Sequence, residues 1–82
     1  MPERLRAARN KCVGAKQTLK AVQSGQARVV YVAQDADARV VGPVLGGAQE
    51  LGLEIVRVNT MKELGKMCGI EVGAAVAAVL TA

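Results

Sequence analysis

The chain has no histidine, tryptophan or phenylalanine, and Tyr31 is its single aromatic residue. Each absence narrows the function. Without histidine, the commonest general base and metal ligand are missing. Without aromatic rings there is no platform on which single-stranded bases stack, which argues against the aromatic sheet readers of RNA. Cys12 and Cys68 stand 56 positions apart with no CxxC spacing, a poor start for a zinc site. Neither a GxGxxG nor a Walker A pattern occurs, and Gly46-Gly47 falls inside a predicted helix with no strand before it. No apolar run reaches the roughly 18 residues that cross a bilayer. Two isolated cysteines and a basic, amphipathic start predict a reducing, cytoplasmic setting. No cofactor, metal or catalytic group is expected, and the chain is not read as an enzyme. Asp35 and Asp37 form a carboxylate pair on paper, but helix capping accounts for them better.

What is present is a small apolar alphabet and an uneven charge. The chain is 51% hydrophobic, almost all of it Val, Ala, Leu and Ile, which suits a sheet beneath helices. At 82 residues it predicts one domain spanning 1–82, with a modest core. Through Arg28 there are seven basic residues and one acid, a net of +6; beyond it four bases face six acids, a net of −2. A basic end on a near-neutral body fits a polyanion partner. It also fits a merely solvated basic helix, and charge alone does not decide.

Periodicity orders the elements. Residues 3–11 read as a short helix, with Leu5 and Ala8 at helical spacing. Cys12-Val13 is a brief strand before Gly14. Residues 15–24 form a helix with Ala15, Leu19 and Val22 on one face and Lys16, Lys20 and Gln23 on the other. Residues 28–33 are the clearest strand, branched and continuous enough to be buried on both sides. Asp35 and Asp37 should cap the next element, a single turn over 37–41, and Pro43 should open a separate helix ending near Leu51. Residues 54–58 are a second strand. Thr60 with Glu63 forms a capping box for a helix over 61–67. Residues 68–73 make a glycine-flanked loop, and 74–80 the last strand. This alternation predicts an α/β layered domain with helices on both faces of a small sheet.

One segment carries binding chemistry. Gly14-Ala15-Lys16-Gln17-Thr-Leu-Lys20 opens a helix, where first-turn N–H groups lack internal partners and the dipole is positive. Such an end attracts phosphate. Gly14 lets a backbone come close. Lys16 and Lys20 project together, and Gln17 can donate to and accept from a base edge. Taken alone, the pattern is shared by many helices whose lysines only face water. The second candidate is Ile70-Glu71-Val72, where apolar residues between Gly69 and Gly73 gain little unless they cover something. They also serve simply as the approach to the final strand. Cys68 reads as a small buried residue.

Three stretches, residues 14–22 (GAKQTLKAV), 32–37 (VAQDAD) and 61–75 (MKELGKMCGIEVGAA), resemble the ribosomal protein L7Ae/L30e family, specifically its small bacterial members that bind kink-turn RNA. The likeness runs through nearly the whole chain. It implies a three-layer α/β/α sandwich around a small four-stranded mixed sheet. It also implies a structured RNA partner, ribosomal, riboswitch or other, whose kink exposes guanine edges at tandem sheared G·A pairs. By resemblance, Gly14 and Ala15 allow close approach, Lys16 and Gln17 contact guanine edges, and Lys20 reaches an edge or a phosphate. Ile70, Glu71 and Val72 would pack on a nucleotide flipped from the bend. Lys16-Gln17 stands where archaeal and eukaryotic members carry Asn-Glu, which matches the bacterial variant. A neutral Gln is a weaker acceptor than Glu. The expected state is a monomer. The competing expectations are a ribosome-associated or scaffold protein working through protein contacts, and a small-molecule-binding domain, for which no pocket is marked.

Overall fold

The computed structural model describes residues 10–80. Four strands make one mixed sheet: β1 (Lys11–Val13), β2 (Ala27–Ala33), β3 (Glu54–Val58) and β4 (Val76–Leu80), in the order β1-β4-β2-β3. β4 runs antiparallel to both β1 and β2, and β3 lies parallel to β2. Between them run α1 (Ala15–Gln23), α2 (Ala38–Glu50) and α3 (Met61–Cys68). The layered α/β/α arrangement expected from the alternation is the one observed.

The two faces of the sheet separate the core. β2 is an inner strand of branched residues, so alternate side chains go to opposite sides. Val30 and Val32 pack with Val22, Val44 and Ala48 of α1 and α2. Val29, Tyr31 and Ala33 pack with Leu64, Met67 and Cys68 of α3. β4 supplies Ala77 to one side and Val76 and Ala78 to the other. Burying a Val or Leu side chain fully contributes roughly 1.5–3 kcal/mol. Small residues in β4 keep both helix layers close. Tyr31 is fully buried, and its hydroxyl has no hydrogen-bond partner among the described residues.

Several expectations need correction. Of the helix expected over residues 3–11, residues 3–9 lie outside the described residues, and Lys11 instead begins β1. There it pairs with Val79, because the outer edge of β4 offers it a ladder. The separate turn and helix expected around Pro43 are one continuous helix. Pro43 removes the bond to the Arg39 carbonyl, but both residues are exposed, so water can serve that carbonyl. Asp37 caps α2 as expected, accepting from the Arg39 N–H at 2.8 Å. The Arg39 guanidinium and this N–H hold the Asp37 carboxyl below the ordinary carboxylate value. The cap is therefore charged at neutral pH and lost only as pH falls through that lowered value. Asp35 does something else, described below. On α1, Thr18 is fully buried beside Val22, while Leu19 is only half-buried. The last strand starts at Val76 rather than Ala74, whose N–H is taken by the Met61 carbonyl at 3.0 Å.

Candidate nucleic-acid interface

Two segments meet at one end of the sheet. Gly14 follows β1 and starts α1; the 69–75 loop follows α3 and leads into β4. The Gly14 N–H donates to the Val76 carbonyl at 2.9 Å, so the start of α1 is fastened to the first residue of β4, directly after the loop. The Ala33 N–H donates to the Ala75 carbonyl at 2.9 Å, which ties the same point to the end of β2.

The α1 side is an open helix start. Gly14 sits at φ 102°, a left-handed backbone that favours glycine. Having no side chain, it leaves the first-turn N–H groups uncapped, and no acid lies in that turn. Lys16, Gln17 and Lys20 are all exposed around this end. Ala15 is half-buried and keeps the approach low. The result is a positive, donor-rich surface with one neutral amide that can also accept.

The loop side is rigidly held. α3 ends in a Schellman arrangement: Gly69 is left-handed at φ 79°, its N–H donates to Lys66, and the Ile70 N–H donates to Gly65, both at 3.0 Å. α3 begins with Thr60, whose hydroxyl accepts from the Glu63 N–H at 3.1 Å, the forward half of the expected capping box. Asp35, 26 residues earlier, adds a second cap by accepting from the Met61 N–H at 2.8 Å. Met61 in turn holds Ala74. Asp35 thus fixes α3 and the loop's exit from the end of the neighbouring strand β2, instead of capping the helix next to it.

Gly65 is what lets the loop lie on α3. A Cβ there would run into the Val72 carbonyl oxygen, with the Val72 carbonyl carbon at 3.1 Å and the Gly73 Cα at 3.2 Å. Gly73 is close packed as well: a Cβ there would lie 3.2 Å from the Met61 Cβ. Ile70 is half-buried and packs against the α3-side core, so it anchors the loop. Glu71 is exposed, and Val72 is the apolar tip, 70% exposed. Burial pushes the Cys68 thiol up, which favours its protonated form.

Of the eight residues singled out in the sequence, seven sit at this end of the sheet on two short segments, and Lys20 lies one helical turn along α1. Asp35, Gly65 and Gly73 were missed as its support. Gly65 had a signal: a glycine inside an amphipathic helix costs about 1 kcal/mol against alanine, so it implies a close approach. Asp35 had none, because its partner is remote in sequence. Among the described residues, no group of three or more His, Cys, Asp or Glu could hold a metal ion, and no helix is long and apolar enough to cross a membrane.

The family model of the ribosomal protein L7Ae/L30e/S12e/Gadd45 family matches residues 2–82. An RNA-binding protein of Caldanaerobacter subterraneus subsp. tengcongensis is 56% identical over 80% of this chain and 80% of its own length. The RNA-binding protein YbxF of Geobacillus stearothermophilus is 44% identical over 83% of each chain. Among solved structures, the Giardia lamblia 15.5kD RNA binding protein superposes with a TM-score of 0.86 at 26% identity, covering 99% of this chain and 68% of that one.

Proposed function

The chain belongs to the ribosomal protein L7Ae/L30e/S12e/Gadd45 family, and from that premise we propose that it is a non-enzymatic RNA-binding protein that recognises kink-turns. The observation that carries this reading is the pairing of an uncapped, acid-free helix start with an exposed apolar tip. The Gly14 N–H to Val76 carbonyl bond holds the two in fixed relation. A straight duplex offers the helix start a phosphate but gives Val72 nothing apolar to cover. A sharply bent RNA offers both, with guanine edges at the bend and an unstacked nucleotide beside them.

In this reading α1 enters the groove at its first turn. Gly14 and Ala15 keep the backbone within reach, Lys16 and Lys20 donate to guanine edges or phosphate, and Gln17 accepts from guanine N–H groups. Val72 covers the flipped nucleotide, Ile70 holds Val72 in place from below, and Glu71 accepts from a base or ribose donor. Because these contacts exist together only on the bent form, binding shifts the RNA towards it. The protein acts as a single domain and a monomer, without cofactor, in the cytoplasm.

The test is a titration against a kink-turn RNA and a straight duplex of equal length at the same salt. The kink-turn is expected to bind at least about tenfold more tightly, the scale of one good base contact. Equal affinity for the two would leave only phosphate attraction and remove the claim.

A further inference from the structure

Next to α1 lies a groove of about 310 Å³, of whose lining the reading above uses only Gln17 and Lys20. Its lining includes Gln17 and Lys20 from the flank of α1, Ser24 at its C-terminal cap, Gln26 from the turn beyond, and Cys12 and Leu80 from the sheet. Helical spacing explains the first three, since residues at i, i+3 and i+7 share one side. α1 rises about 13 Å over its nine residues, so the groove leads from the helix start to its far end.

We propose that this groove takes a ribose–phosphate unit of the bound RNA, on the strand that continues past the kink. The inference rests on the kink-turn reading, because Gln17 and Lys20 belong to both surfaces. Three observations carry it. Lys20 supplies a cation, and no carboxylate lines the groove among the described residues. The polar groups suit a sugar as well as a phosphate: the Ser24 hydroxyl already donates to the Ala21 carbonyl at 3.2 Å, so its free lone pair accepts from a ribose 2′-hydroxyl. Gln26 is an exposed amide that donates to phosphate oxygens or accepts from the sugar. Leu80, half-buried, gives an apolar floor for the sugar ring. Beyond Gln17 and Lys20 the groove reads no base, so it adds affinity and register without sequence preference.

The test is a Ser24→Asp, Gln26→Glu double variant. Both positions are exposed, so the fold should tolerate the change. On a kink-turn RNA with both stems the variant is expected to bind about tenfold more weakly than the parent, the scale of one hydrogen bond to a charged group. On an RNA trimmed at the kink the two proteins should bind alike. If the variant matches the parent on the full RNA while Lys16→Ala weakens binding, the groove assignment falls and the kink-turn reading stands. If neither change affects binding, both fall. Thermal stabilisation by free adenosine monophosphate, abolished in the variant with RNA affinity unchanged, would assign the groove to a free nucleotide and overturn the inference.

Discussion

Replacing Lys16 and Lys20 together by alanine is expected to weaken binding to a kink-turn RNA by roughly 100-fold and to leave folding intact. A side-chain contact to a guanine edge is worth about 1–3 kcal/mol of discrimination, and two such contacts on adjacent turns reach the hundredfold scale even when not fully additive. Both lysines are exposed at the open end of α1, and no carboxylate in its first turn offsets them. Surface changes of this kind move stability by within about 0.5 kcal/mol, so the melting curve serves as the control. The loss should be larger on the kink-turn than on a straight duplex, and the salt dependence of binding should become shallower as phosphate contacts are removed. Fluorescence titrations across a salt series check all of this. A loss of less than about threefold would show that the helix start is not the grip.

Gly65→Ala is expected to have the largest effect on the fold. In an exposed helix interior this exchange stabilises by about 1 kcal/mol. Here the sign reverses, because the new methyl meets the backbone of Val72 and Gly73 rather than a movable side chain. The loop cannot easily retreat. The Ile70 N–H is bonded to Gly65 on one side of the contact, and the Ala74 N–H is bonded to Met61 on the other. Overpacking of this sort costs about 1–3 kcal/mol, and in a domain of this size each kcal/mol lowers the melting temperature by roughly 4–8 °C. Thermal melting measures it directly. RNA affinity measured well below the transition should also fall, because Val72 is displaced from the tip. A variant that melts at or above the parent temperature would contradict the close approach of loop and helix.

These two positions also show what the sequence did and did not make legible. The element order, the buried central strand, the open helix start and the glycine-flanked loop follow from local pattern. β-Branched runs, helical spacing and capping residues act over a few positions and can be seen in one dimension. Asp35 could not be placed, because the N–H it caps belongs to Met61, brought near only by β2 and β3 running parallel. The break expected at Pro43 does not occur, since the lost hydrogen bond falls on the exposed side of α2, and which side is exposed is set by packing. Thr18 carries a hydroxyl and is core; the sheet beneath α1, not the hydroxyl, decides which face is inside. Within the loop, alternation alone could not tell the anchor Ile70 from the tip Val72, because that depends on how α3 directs the chain at Gly69. The resemblance singled out the candidate residues; the structure separates those at the surface from those that hold them in place.

The most direct test of the account uses one kink-turn RNA labelled with a donor and an acceptor dye at the ends of its two stems. A matched RNA lacks the tandem G·A pairs. At low divalent salt, where the free RNA is extended, addition of the protein is expected to raise energy transfer in the first RNA to a saturating, bent value. It should leave the second unchanged at the same concentrations. Equal rises in both RNAs, or binding to the first with no rise, would contradict recognition and stabilisation of the kink.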